Sequence, residues 1–87
     1  MTRPELRGLT ARGLVSALEA DGFLWTGGKG DHRVYRHVDG RRVVVPFRAP
    51  GDTFPAGTLH AMLEGARWTG EDLRRLGLLG PRGDAHP

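Results

Sequence analysis

Residues 32–45 read HRVYRHVDGRRVVV. Two strand-like runs, His32 to His37 and Arg41 to Val45, flank Val38-Asp39-Gly40. An Asp-Gly pair between two such runs is a strong hairpin signal, because glycine accepts the positive φ that a tight reversal needs. Successive strand side chains point to opposite faces, so His32, Val34 and Arg36 share one face and Arg33, Tyr35 and His37 the other. On the second run Val43 and Val45 oppose Arg42 and Val44. Neither face is purely apolar, so this pattern leaves the inward face open. A sheet with one covered face and one basic face is the economical reading.

N-terminal to this hairpin, Phe23-Leu24-Trp25-Thr26 is a further short strand, broken by Gly27-Gly28-Lys29-Gly30. Upstream, Thr10 reads as an N-cap, and Ala11, Leu14, Val15 and Leu18 follow at the spacing of one helical face. Asp21-Gly22 ends that helix. Downstream comes a loop with Pro46, Pro50 and Pro55, and Thr58 is expected to cap a second helix striped by Leu59, Met62, Leu63 and Ala66. Thr69 with Asp72 resembles a capping box and opens a third, short helix carrying Leu73 and Leu76, which Gly80-Pro81 is expected to end. The expected fold is therefore α+β, in the order α-β-β-β-α with an additional short C-terminal helix. The first two helices bury their stripes on one sheet face.

The chain has 87 residues, 38% hydrophobic and 26% charged, which suits one globular domain over residues 1–87. The first 9 and last 7 residues are expected to be flexible. There is no cysteine, which excludes disulfides and thiolate metal sites and fits a reducing cytoplasm. No apolar run approaches the roughly 18 residues of a membrane span. Met1 to Arg12 lacks the apolar core of a signal peptide, so a cytoplasmic protein is expected.

The net charge of +3 is concentrated in the middle. Between Lys29 and Arg48 stand six cations, namely Lys29, Arg33, Arg36, Arg41, Arg42 and Arg48, against Asp31 and Asp39. The remainder is close to neutral. Such a cluster points to an anionic partner, and arginine forks suit phosphate, although an arginine-rich composition would produce the same bias. Lys29, Arg33, Arg36 and Arg42 are the candidate phosphate contacts. The glycines at 27, 28 and 30 do not make a phosphate loop, because no helix follows and the chain is too short for a βαβ unit. They read as a connection between strands, or as a place where RNA backbone meets no Cβ.

His32 stands where that glycine segment becomes a strand, beside Lys29, Arg33 and Arg36. An imidazole near its ordinary pKa accepts and gives protons at neutral pH. Among cations it can take the proton of a ribose 2′-hydroxyl while the cations hold the phosphate and its developing charge. That is RNA cleavage without metal, leaving a 2′,3′-cyclic phosphate and a 5′-hydroxyl and sparing DNA. The opposing reading is an ordinary surface histidine. His37 reads as a turn residue or a base-stacking one, and His60 lies off the helical stripe and is expected to be solvated. Asp31, His32 and His37 would make a poor metal site, since the two histidines point to opposite faces. No cofactor is implied. Of the six aromatics, Phe23, Trp25, Tyr35, Phe47, Phe54 and Trp68, most are expected to pack the core, and Tyr35 is the one that would touch RNA if its face were open.

Taken in order, Leu14 to Gly22 followed by Phe23, Gly30-x-His32, Arg36-His37 before Asp-Gly, Val43-Val44-Val45-Pro46, and Pro55-x-Gly57-Thr58-Leu59 before Met62-Leu63 resemble the HicA toxin family, also called YcfA-like mRNA interferases. The resemblance runs roughly from Thr10 to Leu76. It implies a double-stranded-RNA-binding-domain-like fold. It implies a ribosome-independent endoribonuclease acting on mRNA, the toxin of a type II toxin–antitoxin pair, with a HicB-type antitoxin protein as partner. The family's histidine maps onto His32. One departure stands beside it: Asp31 occupies the place of the family's small hydroxyl residue, where a carboxylate can orient the imidazole and would also repel the scissile phosphate. The alternatives are a non-catalytic RNA-binding module or inactive toxin relic that still binds an antitoxin, and a pure protein-interaction domain.

Overall fold

The computed structural model describes residues 9–78. Their order is α1 (Ala11–Ala20), β1 (Leu24–Lys29), β2 (His32–Arg36), β3 (Arg42–Pro46), α2 (Ala56–Ala66) and α3 (Gly70–Arg75). The strands form one antiparallel sheet in the order β1-β2-β3. This is the expected α-β-β-β-α arrangement with a short C-terminal helix. Leu6 and the segment from Gly80 onward lie outside the described residues.

Local chemistry explains the boundaries. Thr10 caps α1, its hydroxyl accepting from the Gly13 N–H at 3.1 Å. The next orphan donors go to the proline-rich loop: Ala11 N–H reaches the Asp52 carbonyl at 2.8 Å and Arg12 N–H the Pro50 carbonyl at 3.0 Å. Those bonds lay the loop after β3 across the start of α1. The Thr69–Asp72 capping box forms as expected. α2 starts earlier than expected, because the Pro55 carbonyl accepts the first helical bond, from Leu59 N–H at 2.9 Å, and Thr58 sits inside the first turn. α3 also ends earlier, at Arg75, with Gly77 at φ +80° closing it rather than Gly80-Pro81. There the Leu78 N–H bonds the Leu73 carbonyl and the Gly77 N–H the Arg74 carbonyl, a Schellman motif. α1 ends the same way around Gly22, and α2 does so around Arg67, at φ 58°.

The register settles which sheet face is inward. Tyr35 pairs with Val43 and Arg33 with Val45. Tyr35, Val43 and Val45 are buried and pack with Leu14 and Leu18 of α1 and Met62 of α2. Tyr35 is therefore a core residue and not an RNA contact; its ring is the largest fully buried side chain. Leu9 packs against this core too. α2 lies so close to β3 that a Cβ on Gly65 would stand 2.8 Å from the Arg42 carbonyl oxygen.

A polar network ties the ends together. The half-buried Asp21 carboxylate accepts from Arg41 at 3.0 Å, Trp68 Nε1 at 2.9 Å and Arg75 at 3.1 Å. Arg41 also donates to the Ala66 carbonyl at 2.6 Å and to Asp39. Burial alone would raise the Asp21 pKa, but the bonds from Trp68, Arg75 and Arg41 outweigh it and hold the carboxyl below its usual value. One carboxylate thus joins the end of α1, the β2–β3 hairpin, the end of α2, and α3. Arg41 is consumed by this network and leaves the surface cation cluster.

Candidate active site

The β1–β2 hairpin builds the site. The glycine segment is not a break between strands, as expected from composition. Gly27 and Gly28 continue β1, past a bulge between Trp25 and Gly27, and the turn is the two residues Gly30-Asp31. Gly30 takes φ +58° at the first turn position, which a two-residue hairpin of this kind demands. Gly28, at φ +139°, lies against β2 so closely that a Cβ would stand 1.9 Å from the His32 carbonyl oxygen. On the other side His32 pairs with Pro46, and Phe47 N–H donates to the Asp31 carbonyl at 2.7 Å. The His32 backbone is thereby fixed from both neighbouring strands while its side chain is exposed.

His32 lies on the ridge between two open clefts. One, about 410 Å³, is lined by Trp25, Gly27, Gly28, Gly30, Arg33 and Phe47 besides His32. The other carries Asp31, Arg48, Asp52, Phe54 and Thr58. The first contains one cation, Arg33, and no carboxylate. The second contains Asp31 and Asp52, and its Arg48 stands 4.0 Å from Asp52.

The four cations expected at phosphate fall into two groups. Lys29 is exposed and pairs with His32 across the turn. Arg33 is half-buried, with its guanidinium carbon 4.0 Å from the Trp25 ring centroid and 3.8 Å from that of Phe47. This cation–π sandwich occupies both faces of the guanidinium. Its N–H donors lie in the plane between the rings, where one reaches the Tyr35 hydroxyl at 3.4 Å. Arg36 and Arg42 are register partners on the open face with His32, but four residues along the strand from it. That is about 13 Å at about 3.3 Å per residue.

The other histidines are placed elsewhere. Nε2–H of His37 donates to the Asp21 carbonyl at 2.8 Å, and its Nδ1 lies 3.2 Å from the Asp39 N–H and 3.1 Å from the Asp39 carboxylate. It is the turn residue of the two readings. His60 is solvated beside Glu64 at 3.1 Å. Among the described residues no three His, Asp or Glu side chains gather as a metal site.

Trp25 and Phe47 are cleft residues that composition alone assigns to packing. Only the register shows them, since Trp25 and Arg33 become diagonal neighbours once the bulge is counted. Among the described residues no helix is long and apolar enough to cross a membrane. In comparisons with known proteins, the sequence profile described as "HicA toxin of bacterial toxin-antitoxin" matches residues 11–68, from the first residue of α1 through all three strands to Trp68. No curated protein matches the chain.

Proposed function

The chain belongs to the HicA toxin family of bacterial toxin–antitoxin systems, and we propose that it is a ribosome-independent endoribonuclease that cleaves mRNA at His32. Toxins of this family are mRNA-cleaving enzymes, and a toxin of such a pair implies an antitoxin partner. The partner in this reading is a HicB-type antitoxin that covers the His32 face, and the site of action is the cytoplasm.

The observation that carries the reading is an exposed imidazole held by rigid backbone on a ridge beside Lys29 and Arg33. The imidazole takes the proton of a ribose 2′-hydroxyl, and the freed oxygen attacks the adjacent phosphorus. The bond from phosphorus to O5′ breaks, and the imidazolium returns its proton to O5′. A 2′,3′-cyclic phosphate and a 5′-hydroxyl result. Lys29 and the in-plane donors of Arg33 hold the non-bridging oxygens as charge builds on them. Arg36 and Arg42 hold the flanking backbone. DNA has no 2′-hydroxyl and is not a substrate.

Growth after induced expression tests this. Wild-type chain is expected to arrest cells without its antitoxin, and His32→Ala to leave growth unaffected at equal protein level. Equal arrest by both would contradict the role of His32.

Asp31 favours a second reading, a toxin relic that binds RNA without cutting it, because its carboxylate stands one residue from His32 in the second cleft. RNA that stays intact on long incubation, yet binds with log K falling against log salt at about 0.7 per phosphate contacted, would select this reading.

A further inference from the structure

Trp25 is the one exposed aromatic that the fold does not use for its core. Some 57% of its surface is open, whereas Phe23, Tyr35 and Trp68 are buried. An exposed tryptophan usually turns loosely, but this one is held. Its Nε1–H donates to the Gly27 carbonyl at 2.9 Å, and Tyr35 lies alongside at 6.4 Å and 26° between ring planes. Arg33 rests on it at 4.0 Å. Tyr35 and Arg33 both reach it from β2, and β1 is an edge strand, so no neighbouring strand covers the side of the ring away from β2. The cleft floor in front is glycine; a Cβ at Gly27 or Gly30 would meet nothing within 4 Å. A fixed π face, a fixed cation beside it and a floor without side chains are what an unstacked base and its phosphate require together.

We propose that Trp25 is the stacking platform for a nucleobase of single-stranded RNA beside the scissile phosphate, with Arg33 clamped against it as the cation for that nucleotide's phosphate. This rests on the RNA reading above and adds to it a specificity element: the chain grips unpaired bases rather than the shape of a duplex. The one cation of this cleft, Arg33, with no carboxylate beside it, suits the phosphate of such a nucleotide.

The test uses a single-stranded 2′-O-methyl oligoribonucleotide, which binds but carries no attacking hydroxyl. Affinities are measured at several salt concentrations. Trp25→Ala is expected to weaken binding about tenfold or more, the effect of one stacked base, while leaving the slope of log K against log salt unchanged. Trp25→Phe retains most of the affinity, and Trp25→Leu, which keeps apolar bulk without a π face, does not. This pair of variants keeps the test decisive if the alanine chain folds poorly. An oligonucleotide with one abasic ribose at the stacked position loses the same factor with wild-type chain and nothing further with Trp25→Leu. Unchanged affinity in Trp25→Ala and Trp25→Leu would overturn the platform alone and give the ring to a protein contact. Failure of wild-type chain to bind any oligonucleotide would overturn the platform together with the RNA reading. Tight binding with the expected Trp25 losses, but no cleavage of ordinary RNA, would support the platform and contradict only the catalytic reading.

Discussion

His32 is a residue whose value lies in what does not touch it. Its backbone is fixed by Lys29 and Pro46 across both strand pairs, while its ring stands in solvent between two clefts. Its neighbour Asp31 brings negative charge toward the place a phosphate would occupy. Asp31→Ser is therefore expected to speed RNA cleavage several-fold at low salt, with the gain shrinking as salt screens the repulsion. Initial rates at two ionic strengths check this, and a slower variant would make the carboxylate a positioning partner of the imidazole instead. Arg67 is a residue-scale cost elsewhere. It holds the left-handed position at the end of α2 that Gly22 and Gly77 hold at the ends of α1 and α3. Arg67→Gly is expected to stabilise the fold by about 1 kcal/mol in denaturant titration, with cleavage unchanged.

At the scale of elements, two close approaches separate stability from function. Gly28 brings β1 against the His32 backbone, and Gly65 brings α2 against β3. Gly28→Ala and Gly65→Ala should each cost about 2 kcal/mol or more by forcing packed backbones apart. Only Gly28→Ala should also lower cleavage per folded molecule, because only it moves His32; thermal melts with activity normalised to folded protein distinguish them. These elements also show how far the residues speak for themselves. Thr10, Asp21-Gly22, Asp39-Gly40 and the Thr69–Asp72 box carry local hydrogen-bond chemistry, and each marks its boundary correctly. His32 at the start of β2 is legible for the same reason. Gly27 and Gly28 are not, since glycine disfavours strands and only the bulge and pairing with β2 hold them there. The buried face of β2 is illegible because each face carries one apolar residue between polar ones. Arg41 looks like Arg42 in a list of charges, yet its partners Asp21 and Ala66 lie 20 and 25 residues away.

The whole molecule is held by a core cluster drawn from all three helices and the sheet, and by the Asp21 network that joins their ends. The lowered Asp21 pKa has a pH consequence of definite sign. The folded state binds fewer protons than the unfolded one, so this contribution is complete above the ordinary carboxylate pKa of about 3.9 and fades as pH falls below it. Asp39 and Asp72, lowered first by the Arg41 side chain and by the Thr69 backbone N–H respectively, act in the same direction. Asp21→Asn should cost about 2 kcal/mol at neutral pH and lose less than wild type as pH falls below about 4, as read by chemical denaturation across that range. In the proposed reading this scaffold presents one imidazole, that of His32, for catalysis. The most direct measurement is cleavage of a single-stranded RNA by purified chain, with and without His32→Ala, followed by analysis of the product ends. Wild-type chain should yield 2′,3′-cyclic phosphate and 5′-hydroxyl ends, and His32→Ala, folded to the same thermal midpoint, should cut at least about a hundredfold more slowly. Equal rates from the two chains, or 5′-phosphate ends from wild type, would contradict the account.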